Sequence, residues 1–98
     1  MSSTTNALAR LQEWYRSQCD GDWEHSYGVK IETLDNPGWL VTIDLKDTVW
    51  EQITAPRTIL ERSEKDWLQS EIVGSKFIGC GGVGNLEEVL ERFLDAVK

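Results

Sequence analysis

Three groups of residues in this 98-residue chain have types and spacings that could do chemistry. Cys80-Gly81-Gly82-Val83-Gly84 puts a thiol at the head of a glycine-rich turn, just before a helix is expected to begin at Asn85. Backbone N–H groups in such a turn bind anions and lower a thiol's pKa, as a sulfurtransferase or phosphatase requires. The cations that would assist are missing: no Arg or Lys occurs between Lys76 and Arg92. The helix also opens with Glu87 and Glu88, which would repel a thiolate or a phosphate. The run reads better as a small buried thiol followed by a flexible turn, and a thiol enzyme using Cys80 is kept as the alternative.

Asp20, Asp22, Glu24 and His25 form the second group. They suggest a metal site or an acid and base pair, but the pattern is incomplete. A calcium loop needs further oxygen ligands and a distal glutamate at set spacing. Zinc needs more than the single histidine of this chain unless carboxylates or thiols help. Helix capping and a solvated loop account for these residues more simply, and neither a metal nor another cofactor is expected.

The third group is the tryptophans Trp14, Trp23, Trp39, Trp50 and Trp67. Tryptophan anchors binding surfaces because it offers a large rigid face at small entropic cost, and it also fills cores. The patterns around Trp14 and Trp39 place both in the core. Trp23, between Asp22 and Glu24, and Trp50, before Glu51, fall in connections and suit an interface equally well. No Gly-x-Ser-x-Gly, phosphate-binding loop or zinc quartet occurs, so no nucleophile, base and orienting group come together.

The elements that position these groups follow from hydrophobic periodicity. Asn6 to Cys19 predicts a helix with Leu8, Leu11, Tyr15 and Cys19 on one stripe, Thr4 or Thr5 as cap and Gly21 as the stop. Tyr27 to Thr33 and Trp39 to Leu45 alternate as a β-hairpin. For Ile31 to share the core face with Val41 or Ile43, opposed residue numbers must sum to an even value, which requires an odd loop of about three or five residues. A weaker strand over Arg57 to Arg62 leads through Ser63-Glu64-Lys65-Asp66 to a strand over Trp67 to Val73. Gly74-Ser75 then fits a two-residue turn returning through Lys76 to Cys80, with Ile72 opposite Phe77 and Leu68 on the same face. Asp47 to Pro56 reads as a connection. The last helix has Asn85 as cap, Glu88 as capping-box partner, and Leu86, Val89, Leu90, Phe93, Leu94 and Val97 on its stripe. The expected fold is α+β: a single domain over 1–98, with an antiparallel sheet of four to five strands in two hairpins. The N-terminal and C-terminal helices pack on one face, leaving the other to a partner.

Composition bounds the function. Asp and Glu total 17 against 10 Lys and Arg, a formal charge of -7. That field repels nucleic acid and anionic membranes and speeds encounter with a basic protein, although acidity also serves solubility alone. The first ten residues lack a secretory signal and no apolar run approaches the ~20 residues that span a bilayer. Cys19 and Cys80 are expected as free thiols, and the protein as cytoplasmic.

Leu11-Gln12-Glu13-Trp14-Tyr15, the run from Cys19-Asp20-Gly21-Asp22-Trp23-Glu24-His25 through Tyr27 to Trp39, and the stretch from Gly81-Gly82 to Phe93-Leu94 resemble the immunity protein 53 family. The resemblance spans nearly the whole chain, with Val49 to Ile59 the least similar part. It implies a bacterial protein that neutralises a toxin encoded nearby in a polymorphic toxin system, without catalysis. Many such toxins are nucleases or other enzymes with basic clefts, so the expected partner is a cognate protein toxin. The expected contact residues are Asp20, Asp22, Trp23, Glu24 and His25, with Asp35 and Trp39 from the hairpin. A scaffold subunit that self-associates is a further alternative.

Overall fold

A computed structural model describes residues 6–98. In chain order the elements are α1 (Ala7–Gln18), α2 (Trp23–Ser26), β1 (Val29–Leu34), β2 (Gly38–Asp44), β3 (Ala55–Glu61), β4 (Trp67–Val73), β5 (Lys76–Gly81) and α3 (Leu86–Ala96). The strands form one antiparallel five-stranded sheet in the order β1-β2-β5-β4-β3. This is the α+β fold that the hydrophobic patterns predict.

The first hairpin has the predicted odd loop, residues 35–37, and Ile31 pairs with Val41 while Val29 pairs with Ile43. Val41 and Ile43 therefore share one face of β2 and are fully buried, while Trp39 at the start of that face is only partly so. The β4–β5 hairpin turns on Gly74-Ser75 and sets Ile72 against Phe77. Both turn residues take left-handed backbone, φ 62° each, the mirror-image turn that matches strand twist. Ser75 tolerates this conformation because it is fastened: its carbonyl accepts from Leu45 N and its hydroxyl donates to the Glu51 carbonyl.

α3 lies across the face that carries Val41, Ile43, Leu68, Ile72 and Phe77, and buries Val89, Leu90, Phe93 and Leu94 against it. Two glycines of β5 permit that approach. A Cβ on Gly79 would stand 2.7 Å from Val89 Cγ1, and one on Gly81 3.2 Å from Val89 Cγ2. Gly82 is equally confined, since its Cβ would fall 2.5 Å from the Lys65 carbonyl oxygen. The glycine run is thus a close-packing surface, and only its Gly84 end is open.

The structure corrects three local readings. The α1 cap is Asn6, whose Oδ1 accepts from Ala9 N at 2.8 Å; Thr4 and Thr5 lie outside the described residues. The buried stripe of α1 is Ala7, Leu11 and Trp14, while Leu8 is 56% exposed and Tyr15 and Cys19 face solvent. Both stripes have helical spacing, and the choice falls to the side with more area to bury: Trp14 meets the rings of Phe93 at 4.8 Å, Trp23 at 5.9 Å and Trp50 at 6.0 Å. Finally, the Asn85 side chain does not cap α3. Its Nδ2 donates to Asp66 Oδ1 and Glu88 Oε1, both at 2.9 Å.

Asp66 is the centre of that cluster. Arg62 grips it bidentately, Nε to Oδ2 at 2.9 Å and Nη2 to Oδ1 at 2.8 Å, and Arg62 also reaches Glu88. The β3–β4 turn is thereby tied to the start of α3. The Arg62 and Asn85 hydrogen bonds pull the Asp66 carboxyl from its ordinary 3.8 down to about 2, and the same partners lower Glu88. A carboxyl held below its unfolded value stabilises the fold above pH 4 and loses that contribution as pH falls towards 2. We expect urea midpoints to decline over that window, and Asp66→Asn to flatten the decline; an unchanged acid slope in the variant would refute this role.

Candidate functional site

At one end of the sheet, two connections meet. The first is the turn between α1 and β1, residues 19–28. Asp20 Oδ1 accepts from Asp22 N at 3.0 Å and Trp23 N at 2.9 Å, so Asp20 holds the backbone that leads into the short helix α2. Glu24 folds back so that Oε1 and Oε2 accept from Asp20 N and Gly21 N, each at 2.9 Å. Gly21 takes φ 98° here, a conformation that suits glycine. The turn's N–H groups hold both carboxyls below their usual range: those of Trp23 and Asp22 act on Asp20, and those of Glu24 itself, Asp20 and Gly21 act on Glu24. These two acids are ionised struts of the loop. Asp22 and His25 are the members whose side chains are left to face solvent.

Trp23 is 4% exposed. Its ring sits against Trp14, Tyr15 and Tyr27, and its Nε1 donates to the Lys46 carbonyl at 2.9 Å. It therefore supports the loop from beneath and presents no face of its own. The same bond brings in the second connection, from Leu45 to Thr54. There Thr48 Oγ1 donates to the Leu45 carbonyl and accepts from Trp50 N, Lys46 Nζ pairs with Glu51 Oε2 at 2.8 Å, and Trp50 packs inward on Trp14. Asp47, at φ 61°, and Val49, 87% exposed, are left on the outside.

The two connections and the end of β2 between them thus carry Asp20, Asp22, Glu24, Asp44, Asp47 and Glu51, along with Lys46 and His25. Among the described residues no group of His, Cys, Asp and Glu is arranged to hold a metal ion. The two connections are held by their own hydrogen bonds, and Asp22, Asp47 and Val49 stand outside them, exposed.

Asp35 and Trp39 are not part of this end. They stand at the opposite end of β1, separated by its six residues, about 20 Å of extended chain. Asp35 is exposed in the hairpin loop. Trp39 is partly buried on the helix-bearing side of the sheet, with Nε1 donating to the Val83 carbonyl at 2.9 Å. Beside them a groove of about 420 Å³ runs between Pro37, Lys65, Trp67 and Val83. Cys80 is half-buried on the uncovered sheet face, directly opposite Leu40 and Gln69 in the neighbouring strands.

The sequence from residue 8 to residue 98 matches the family model described as immunity protein 53. The chain belongs to the immunity protein 53 family. No curated protein and no solved structure matches the chain. The family's role implies a cognate toxin as partner. The contact residues expected from the sequence did not include Asp47 and Val49, which the structure leaves exposed in the second connection. A signal was present: Asp47-Thr48-Val49-Trp50-Glu51 repeats the acidic and aromatic make-up of Asp20 to His25.

Proposed function

We propose that this immunity protein binds and neutralises a cognate bacterial toxin, without catalysis, through the acidic sheet end formed by the turn at Asp20 to His25 and the loop at Lys46 to Glu51. The observation that carries the reading is the bond from Trp23 Nε1 to the Lys46 carbonyl, which joins two acidic loops into one preformed surface. A preformed surface loses little conformational entropy on binding. Its negative field would draw in a basic partner and place carboxylates where an enzyme binds phosphate or another anion. Asp22 and Asp47 supply free charge, Val49 supplies an apolar knob, and Asp20, Glu24 and Trp23 keep the shape. Asp35 and Trp39, at the far end, contribute where the toxin is broad enough to reach along β1.

The test is direct. The purified chain, mixed with the toxin encoded beside its gene, is expected to form a stable complex and to abolish the toxin's activity in stoichiometric amounts. Undiminished toxin activity in the presence of excess chain would refute the reading.

A further inference from the structure

Among the described residues the sheet has two free edges, β1 and β3, and they differ in kind. β3 carries Pro56 and an irregularity between Ala55 and Thr58, two devices that discourage strand addition. β1 pairs with β2 over six consecutive residues without a break or a proline. Its middle residues are exposed, Ile31 at 39%.

The direction of the β1 backbone follows from one bond. Asp44 N donates to the Gly28 carbonyl at 3.1 Å, which makes Gly28 and Asp44 a hydrogen-bonded position of the β1–β2 ladder. Such positions alternate along an antiparallel pair. Lys30, opposite Thr42, and Glu32, opposite Leu40, therefore spend their N–H and C=O groups on β2. Val29, Ile31 and Thr33 turn theirs outward, where they await a partner strand.

We propose that β1 pairs with the β1 strand of a second copy of this chain, antiparallel, with Ile31 opposite Ile31. In this register each Ile31 exchanges both backbone hydrogen bonds with its mate. Val29 lies opposite Thr33, and Lys30 lies opposite Glu32 twice over. The Lys30–Glu32 pairs fall at the close, non-hydrogen-bonded positions where cross-strand side chains interact most. The sequence discriminates against the neighbouring registers. A shift of two residues in one sense sets Lys30 against Lys30, and in the other sense Glu32 against Glu32, each a like-charge contact. The charge pattern Lys30-Ile31-Glu32 is self-complementary about its own centre, which is what a two-fold interface demands. The antiparallel arrangement also sends the acidic ends of the two copies to opposite ends of the merged sheet, where they stay clear of each other.

Sedimentation of the purified chain, without any toxin, tests the pairing over a range of protein concentrations. A monomer–dimer equilibrium is expected. Lys30→Glu and Glu32→Lys should each raise the dissociation constant by about tenfold or more, and an equimolar mixture of the two variants should recover a heterodimer, because its charges are again opposed. Ile31→Pro provides a second probe: it removes only an outward N–H and should abolish the dimer while the circular dichroism spectrum persists. A chain that stays monomeric throughout, a dimer indifferent to both reversals, or a mixture that fails to recover would each overturn the proposal.

Discussion

Replacing Asp22 and Asp47 together by lysine is expected to weaken binding to the cognate toxin by about a hundredfold or more, with the fold unchanged. Each reversal exchanges an attraction for a repulsion at a contact with a basic partner, and close charge pairs at protein interfaces couple by about 1.5 kcal/mol upwards. At about 1.4 kcal/mol per decade of affinity, two such losses give the stated factor. Neither side chain holds the loops: the struts are the carboxylates of Asp20 and Glu24, the Trp23 indole and the Lys46–Glu51 pair. Part of the loss should appear as slower association that becomes less marked with added salt, because steering by exposed charge is screened. Titration calorimetry and association kinetics on wild type and double variant measure both effects. An affinity within about threefold of wild type, a difference of only about 0.7 kcal/mol, would move the contact surface elsewhere. Reversing Glu24 is the less informative experiment, because it removes the acceptor of two loop N–H groups along with the charge.

Phe93→Ala should be the most damaging substitution to stability. Phe93 is fully buried, and its ring is 4.8 Å from Trp14 on α1 and 5.4 Å from Phe77 on the sheet. It is the link between the two helices and the strands, so its removal opens a cavity that no single element can close. Such a truncation costs about 3–5 kcal/mol, out of a total that for a domain is about 5–15 kcal/mol. At about 4–8 °C per kcal/mol for a chain of this size, the thermal midpoint should fall by at least about 12 °C. Leu8→Ala is the matched control: although Leu8 is also apolar and helical, it faces solvent, and its truncation should stay within about 0.5 kcal/mol. Thermal unfolding followed by circular dichroism separates the two. Equal losses would mean that the helix buries the Leu8 side after all.

The same comparison shows how far the residues could be read in advance. Periodicity located α1, both hairpins and α3, because each period is a property of neighbouring residues along one element. It chose the Leu8-Leu11-Tyr15 stripe of α1, whereas the choice the fold makes is Ala7-Leu11-Trp14, which repeats at helical spacing equally well. That choice came from the rings of Trp23, Trp50 and Phe93, which only the folded chain brings around Trp14. The capping box at Asn85 met the same fate: the Asn85 side chain bridges Asp66 of the β3–β4 turn and Glu88 of α3 with its amide group and accepts from no N–H of the helix start.

The candidate site divides in the same way. The acidic turn at Asp20 to His25 was visible as a cluster of residue types and read as helix capping and a solvated loop, but residue type did not say which of its acids, Asp20 and Glu24, would accept from the turn's own N–H groups. Trp23 looked equally fit for an interface and for packing, and its indole N–H settled that by finding the Lys46 carbonyl across a gap of 23 residues.

By itself the sequence determined the first and last helices, the five strands, the odd loop of the first hairpin, the Gly74-Ser75 turn and membership of the immunity protein 53 family, while the short helix α2 went unread. Those features depend on side-chain alternation, on the backbone freedom of particular residues, and on the order of residue types. The tertiary structure alone decided which face of α1 is inside, where the Trp23 indole N–H finds its acceptor, and which two loops are joined at the end of the sheet. The reason is physical: local pattern sets what each segment prefers, whereas a hydrogen bond or a ring contact between distant segments exists only once packing has brought both partners to the same place.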